Sequence, residues 1–171
     1  MQTEFQQAVR ALGAGQLDRA VTLVEGLLRT HPDHPQVRHL AGVVFFENGD
    51  ARRGRELLDG AVRQSPSDPE LQYNYGSALM KHGDLAGALE RFEQAVSLAP
   101  LHASAWNNRG TVLRQLGRAD DARASFERAV DAAPGHPGAL TNLGQLALDG
   151  NDAERALGQF ERALASAPDA V

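Results

Sequence analysis

Three asparagines stand 34 residues apart, at Asn74, Asn108 and Asn142. Each side-chain amide carries a carbonyl acceptor and an NH2 donor, so one asparagine can serve both polar groups of a peptide backbone. A row of them at fixed spacing is chemistry for gripping an extended chain with little regard to its sequence. Solvation is the competing account, since an exposed helix position tolerates asparagine and units of common descent would repeat it. Asparagine is, however, a mediocre helix former, and three in phase ask for a reason beyond propensity.

Other chemistries lack their residues. The sequence holds no G-x-x-x-x-G-K-[ST], no G-x-S-x-G and no H-E-x-x-H. Gly13-Ala14-Gly15 follows no strand pattern and reads as a helix-turn signal. The carboxylates are scattered as for solvation and i,i+4 support, so no residue is assigned to catalysis. His31 and His34 form an H-x-x-H pair, and His34, His102 and His136 recur at the last place of a unit. Metal ligands must converge within about 2 Å of one ion. Successive loops of a repeat lie too far apart for that, so these histidines read as solvated loop residues. Neither a metal nor a cofactor is expected. Without cysteine there is no disulfide framework and no thiolate.

The elements that carry the asparagines follow from proline. Pro32, Pro66, Pro100, Pro134 and Pro168 each fall 34 residues after the last. Proline lacks the N–H and clashes with the preceding turn, so evenly spaced breakers mark a tandem array. The units are 1–34, 35–68, 69–102, 103–136 and 137–170. They form a single array over 1–171 with no room for a separate catalytic domain. Stacked units share one continuous core.

The unit 103–136 is the clearest. Trp106, Arg109, Gly110 and Leu113 mark one helix, and Gly117 stops it. Asp120 and Asp121 suit the positive end of a second helix, whose packed side is Ala122, Phe126, Ala129 and Val130. Units 69–102 and 137–170 repeat the scheme, with Asn151 where the others carry Gly; asparagine also tolerates the left-handed conformation at a helix end. Gly76, Gly110 and Gly144 let a neighbouring helix approach. Unit 35–68 departs, with Gly54 in place of Ala and Leu58 in place of Phe. In unit 1–34 the first helix reads one residue late, as Phe5, Ala8, Val9 and Leu12.

These residues resemble the tetratricopeptide repeat, W-x2-L-G-x2-Y, then A-x3-F, then P. Trp106, Gly110, Ala122, Phe126 and Pro134 match it, while Arg109 and Leu113 depart. The resemblance implies an all-α fold, a right-handed superhelical solenoid of five helix-turn-helix tetratricopeptide repeats. It also implies that first helices line the concave wall.

At about 100° per residue, places 2, 6, 9 and 13 of each unit oppose the core side of the first helix. Place 6 is the asparagine row, which resembles the ladder in O-linked N-acetylglucosamine transferases. Around it on the expected concave face stand Tyr73, Ser77, Lys81, Asn107, Thr111, Gln115 and Gln145. The clamp that other members use for chaperone C-terminal carboxylates needs Lys or Arg at place 5. Here that place reads Phe5, His39, Tyr73, Asn107 and Thr141, so the clamp is rejected. Leu40, Val43 and Phe46 stand where later units are polar or, at Met80, less bulky. They make either an apolar floor with Tyr73 or a surface that the first unit folds over, and the second is favoured.

Charge and composition bound the partners. With 17 basic against 22 acidic residues the formal charge is −5, and no basic stripe appears, which argues against nucleic acid. The first dozen residues have no basic stretch before an apolar run, and nothing approaches the roughly 20 apolar residues of a membrane span. A cytoplasmic protein follows. Every basic residue but Lys81 is Arg, which points to a GC-rich bacterial genome.

The expected function is a non-catalytic scaffold that binds a protein or peptide partner as an extended segment. One alternative is the substrate-docking part of a larger glycosyltransferase or sulfotransferase. Another is a structural unit that associates through its ends, because the apolar side of the last unit, including Leu157, Phe160 and Leu164, would be partly uncovered.

Overall fold

The computed structural model describes residues 2–166, which form ten α-helices and, among the described residues, no strand. The helices are α1 (Gln2–Gly13), α2 (Leu17–Thr30), α3 (Pro35–Glu47), α4 (Ala51–Gln64) and α5 (Pro69–Lys81), then α6 (Leu85–Leu98), α7 (Ala103–Gln115), α8 (Ala119–Ala132), α9 (Pro137–Asp149) and α10 (Ala153–Ser166). They pair as five helix-turn-helix repeats in the expected phase. Pro32, Pro66, Pro100 and Pro134 each lie two residues beyond a second helix. Pro168 lies outside the described residues.

The turn within a repeat needs one left-handed residue. Gly117 supplies it at φ 76°, and Asn151 does so at φ 58°, since asparagine and glycine tolerate this region best. Second helices begin on an aspartate where one is present: Asp50, Asp84 and Asp152 accept backbone N–H groups from Arg53, Gly87 and Arg155. First helices begin on the last place of the preceding unit. Asp68 accepts from Glu70 and Leu71. His102 and His136 are not solvated loop residues, as expected from sequence, but caps. Their Nδ1 atoms accept from the N–H groups of Ala105 and Ala139 at 3.2 and 3.1 Å. An imidazole caps only through its unprotonated nitrogen, a role the pattern of recurrence signals but does not reveal.

Contacts group the chain into two compact units, Met1–Gly83 and Asp84–Val171, so the boundary falls inside the third repeat, in the turn before α6. In the first unit α3 packs on α4, α2 and α5, while α1 packs on α2 and α3. In the second, α7 packs on α8 and α6, and α9 on α10 and α8.

In the second, fourth and fifth repeats a bulky second-helix side chain fits the gap left by a first-helix glycine, with Leu58 over Gly42 in the second. A Cβ on Gly110 would stand 2.5 Å from the Phe126 ring, and one on Gly144 would stand 2.6 Å from Phe160. In the second repeat a further pair runs in the opposite sense. A Cβ on Gly54 of α4 would stand 2.5 Å from Phe46 of α3. That is why glycine replaces alanine at 54. Phe46 is therefore core, buried beside Tyr75 and His82, with ring centroids 6.5 and 5.2 Å away. It belongs neither to a groove floor nor to a surface covered by the first repeat.

The first helix also differs from its periodicity. Ala8 and Ala11 are its buried residues, at the same places as in other repeats. Val9 is 46% exposed, and Phe5 and Leu12 pack only partly against the core. The helix is thus in register, and its larger apolar residues face away from α2's core contact toward α3.

Candidate functional site

The expected concave-face residues divide between the two units. In the first, the valley between α3 and α5 is a trough. Its middle is a cavity of about 240 Å³ walled by Phe5, Val9 and Leu12 of α1 and by His39, Leu40 and Val43 of α3, with Asn74 on the α5 side. Val43 and Asn74 continue into a second hollow that adds Glu47, Ser77, Ala78 and Lys81. At the other end His39 is shared with a more polar hollow formed with His34, Gln36, Ser65, Asp68 and Leu71. His39, Val43 and Glu47 are successive turns of one helix face, so the trough runs for about 12 Å along α3.

Asn74 is half-buried and makes no side-chain hydrogen bond among the described residues. Its donor and acceptor remain available at the trough wall. Ser77 Oγ donates to the Tyr73 carbonyl at 3.0 Å, which fixes the hydroxyl's direction and leaves its lone pairs. Lys81 pairs with Glu47 across the valley. Tyr73 is half-buried at the α5 side. Burial lowers the pKa of His39, an effect partly offset by the negative charges of Asp68 and Glu70. His34 Nδ1 is buried without a hydrogen-bond partner among the described residues.

In the second unit the same places carry amides that bond to one another. Asn107 Nδ2 donates to Asn108 Oδ1 at 3.2 Å, and Asn142 Nδ2 donates to Asn107 Oδ1 at 3.1 Å. Asn107 thus ties α7 to α9 and joins two members of the asparagine row. The network leaves the Asn108 amide donors and the Asn142 carbonyl for other partners. Thr111 Oγ1 donates to the Asn107 carbonyl at 3.1 Å, as Ser77 does one repeat earlier. Gln145 is exposed and donates to Asp149, while Gln115 is exposed at the end of α7. Sequence reasoning places Asn107 on this face but does not foresee that it bridges the other two.

The second unit also has an apolar hollow of about 300 Å³ between α9 and α10, lined by Pro137, Thr141, Phe160, Ala163 and Leu164. Leu157 and Leu164 are 60% and 70% exposed. Leu140 and Leu143 of the same repeat are buried. Among the described residues no group of three or more His, Cys, Asp or Glu is placed to hold a metal. No helix of the described residues is long and apolar enough to cross a membrane.

A helix-turn-helix unit repeated in phase along the chain defines an α-solenoid. The chain belongs to the tetratricopeptide repeat family, whose profiles match residues 5–69, 73–137 and 113–171. No curated protein shows significant similarity to the sequence. Solved structures share its fold. A crystal structure of MamA is 21% identical over 94% of each chain, with a TM-score of 0.80. PilF from Pseudomonas aeruginosa is 18% identical over 96% of this chain and 75% of its own, with a TM-score of 0.86. YrrB, described as a repeat protein with an unusual peptide-binding site, is 23% identical over 98% of this chain and 86% of its own, with a TM-score of 0.72. A protein-interaction scaffold is the role this fold family supports.

Proposed function

We propose that the chain is a non-catalytic, cytoplasmic scaffold that binds an extended segment of a protein partner along its first-helix face. Residues 1–171 act as one array in this reading, and Asn74, Asn108 and Asn142 hold the backbone of the bound segment. The observation that carries it is the state of the asparagine row. Each member is half-buried, hence held in place, yet retains donors or acceptors that the protein does not use. Lys81, Ser77, Thr111, Gln115 and Gln145 would frame the segment. The peptide-binding site described for YrrB is consistent with such a use of the fold.

The test is capture of partners from lysate by wild type and by the triple variant Asn74→Ala, Asn108→Ala, Asn142→Ala, with circular dichroism to verify folding. Loss of specific partners in the variant is the expected result. Retention of the same partners would move the binding surface elsewhere.

A second reading has its own observation. The exposed Leu157 and Leu164 around the Phe160 hollow form an apolar face on α10 that suits association with another copy. Sedimentation should then show self-association that Leu164→Asp abolishes. A monomer at high concentration would dismiss it.

A further inference from the structure

The trough of the first unit is chemically graded. Its centre is apolar, and the amide of Asn74 stands beside it. Its flanks carry charge. Asp68 lines the polar end, and Glu70 lies close enough for both carboxylates to act electrostatically on His39. Glu47 and Lys81 line the far end as an ion pair. Asp68 therefore gives the polar end a negative charge, in a chain whose formal charge is already −5. The polar end also holds His34, with its buried ring nitrogen unpartnered among the described residues.

Size sets the central group. A cavity of about 150 Å³ lined by aliphatic and aromatic residues is enough to bind benzene, so the central cavity of about 240 Å³ accommodates a leucine or phenylalanine side chain. The polar hollow adjoins it through His39. In an extended peptide, with a rise of about 3.3 Å per residue, one or two residues span from one hollow to the next.

We propose that this trough selects a basic–apolar peptide: a leucine- or phenylalanine-sized side chain fills the cavity of Phe5, Val9, Leu12, Leu40 and Val43, and a Lys or Arg one or two residues away sits against Asp68. The inference rests on the groove-binding reading above and adds sequence preference to a backbone grip. Repeats with amides bonded to one another hold the chain without reading it, and the first unit reads it.

The test uses the full chain and fluorescent heptapeptide pools with six degenerate positions and a fixed centre of Leu, Ala or Glu. Anisotropy should show the Leu-centred pool binding about tenfold or more tightly than the Ala-centred pool, as burial of such a side chain requires. Leu-centred pools with Lys two residues from the centre should bind more tightly than those with Glu there. Val9→Glu changes an already exposed residue and should erase the Leu preference. Asp68→Asn removes the charge and keeps the helix cap, because asparagine caps as well as aspartate. It should erase the Lys preference. Circular dichroism of both variants checks their fold.

Equal binding of all three pools, or no binding of the Leu-centred pool, overturns the inference. If the pools bind equally and Asn74→Ala weakens all of them, the backbone grip survives and the apolar anchor falls. If the Leu preference holds and disappears in Val9→Glu while Asn74→Ala changes nothing, the anchor survives and the asparagine grip falls.

Discussion

The two compact units meet the same design problem at the same repeat places and solve it differently. In Met1–Gly83 the first-helix face is an open trough with apolar walls, and Asn74 has no protein partner among the described residues. In Asp84–Val171 that face is knitted by amides, with Asn107 joining Asn108 to Asn142. The core shows a related contrast. Phe126 and Phe160 of second helices fill gaps over glycines of first helices, whereas Phe46 of a first helix fills a gap over Gly54 of a second. One repeat template therefore admits two distributions of bulk, provided each bulky ring faces a missing Cβ. Putting a large ring in α3 is compatible with leaving the groove side of α1 and α3 to Phe5, Val9, Leu40 and Val43.

The largest effect should come from emptying the two ring sites. Phe46→Ala and Phe126→Ala should each cost about 3–5 kcal/mol in denaturant unfolding, because both rings are fully buried. A much smaller loss for Phe46 would mean that the inverted arrangement of the second repeat is not core packing.

Next come the gaps. Gly110→Ala should cost about 1–3 kcal/mol by overpacking, since the new Cβ meets the fully buried Phe126 ring at 2.5 Å. Gly144→Ala should cost less despite a similar approach, because Phe160 is half-buried and has solvent to yield into. Equal losses would remove the distinction between an inner and an outer repeat of the same unit.

Smaller again is the amide contrast. Asn107→Ala should destabilise by about 1 kcal/mol, for it removes two hydrogen bonds and gains helix propensity in return. Asn74→Ala has no bond to lose and should be neutral or slightly stabilising on propensity alone. A destabilising Asn74→Ala would show that this amide is structural, and would weaken its place in the grip. Thermal or denaturant unfolding of the paired variants decides it.

The smallest effect belongs to His39. Its pKa in the folded chain lies below the ordinary value of 6.5 because burial disfavours the charged ring. Its contribution to stability is therefore complete above the unfolded value and is lost as pH falls through the folded one. Asp68 and Glu70 limit the loss. Unfolding midpoints below about pH 6.5 should fall less steeply with acidification in His39→Gln than in wild type. An unchanged slope would mean that the ring is not the group being titrated.

Much of this was legible in the residues. The proline spacing gave the repeat length, Gly117 and Asn151 gave the turns, and the half-buried asparagine row at place 6 followed from helical period. All three are local: a proline, a left-handed residue or a 3.6-residue period acts through its own few bonds. The sequence missed what depends on neighbours from other repeats. Val37, Leu71, Ala105 and Ala139 at place 3, and Val44, Ala78, Val112 and Leu146 at place 10, are buried although the core pattern of one repeat does not include them. Each first helix packs against elements beyond its own hairpin, as α3 does on α2, α7 on α6 and α9 on α8. The register of α1 depends on such neighbours too. Phe5, Val9 and Leu12 look like a core stripe within one helix, but small Ala8 and Ala11 take the close contact and the larger residues turn toward α3.

By itself, then, the sequence determined the number of repeats, their helices, their turns and the places that recur on an exposed face, because each is set by bonds within a few residues. Only the tertiary structure decided which asparagines bond to each other and which glycine faces which ring. Those outcomes depend on distances of 2.5 to 3.2 Å between residues as many as 35 apart in the chain, and side-chain identity alone does not fix such distances until the repeats are packed.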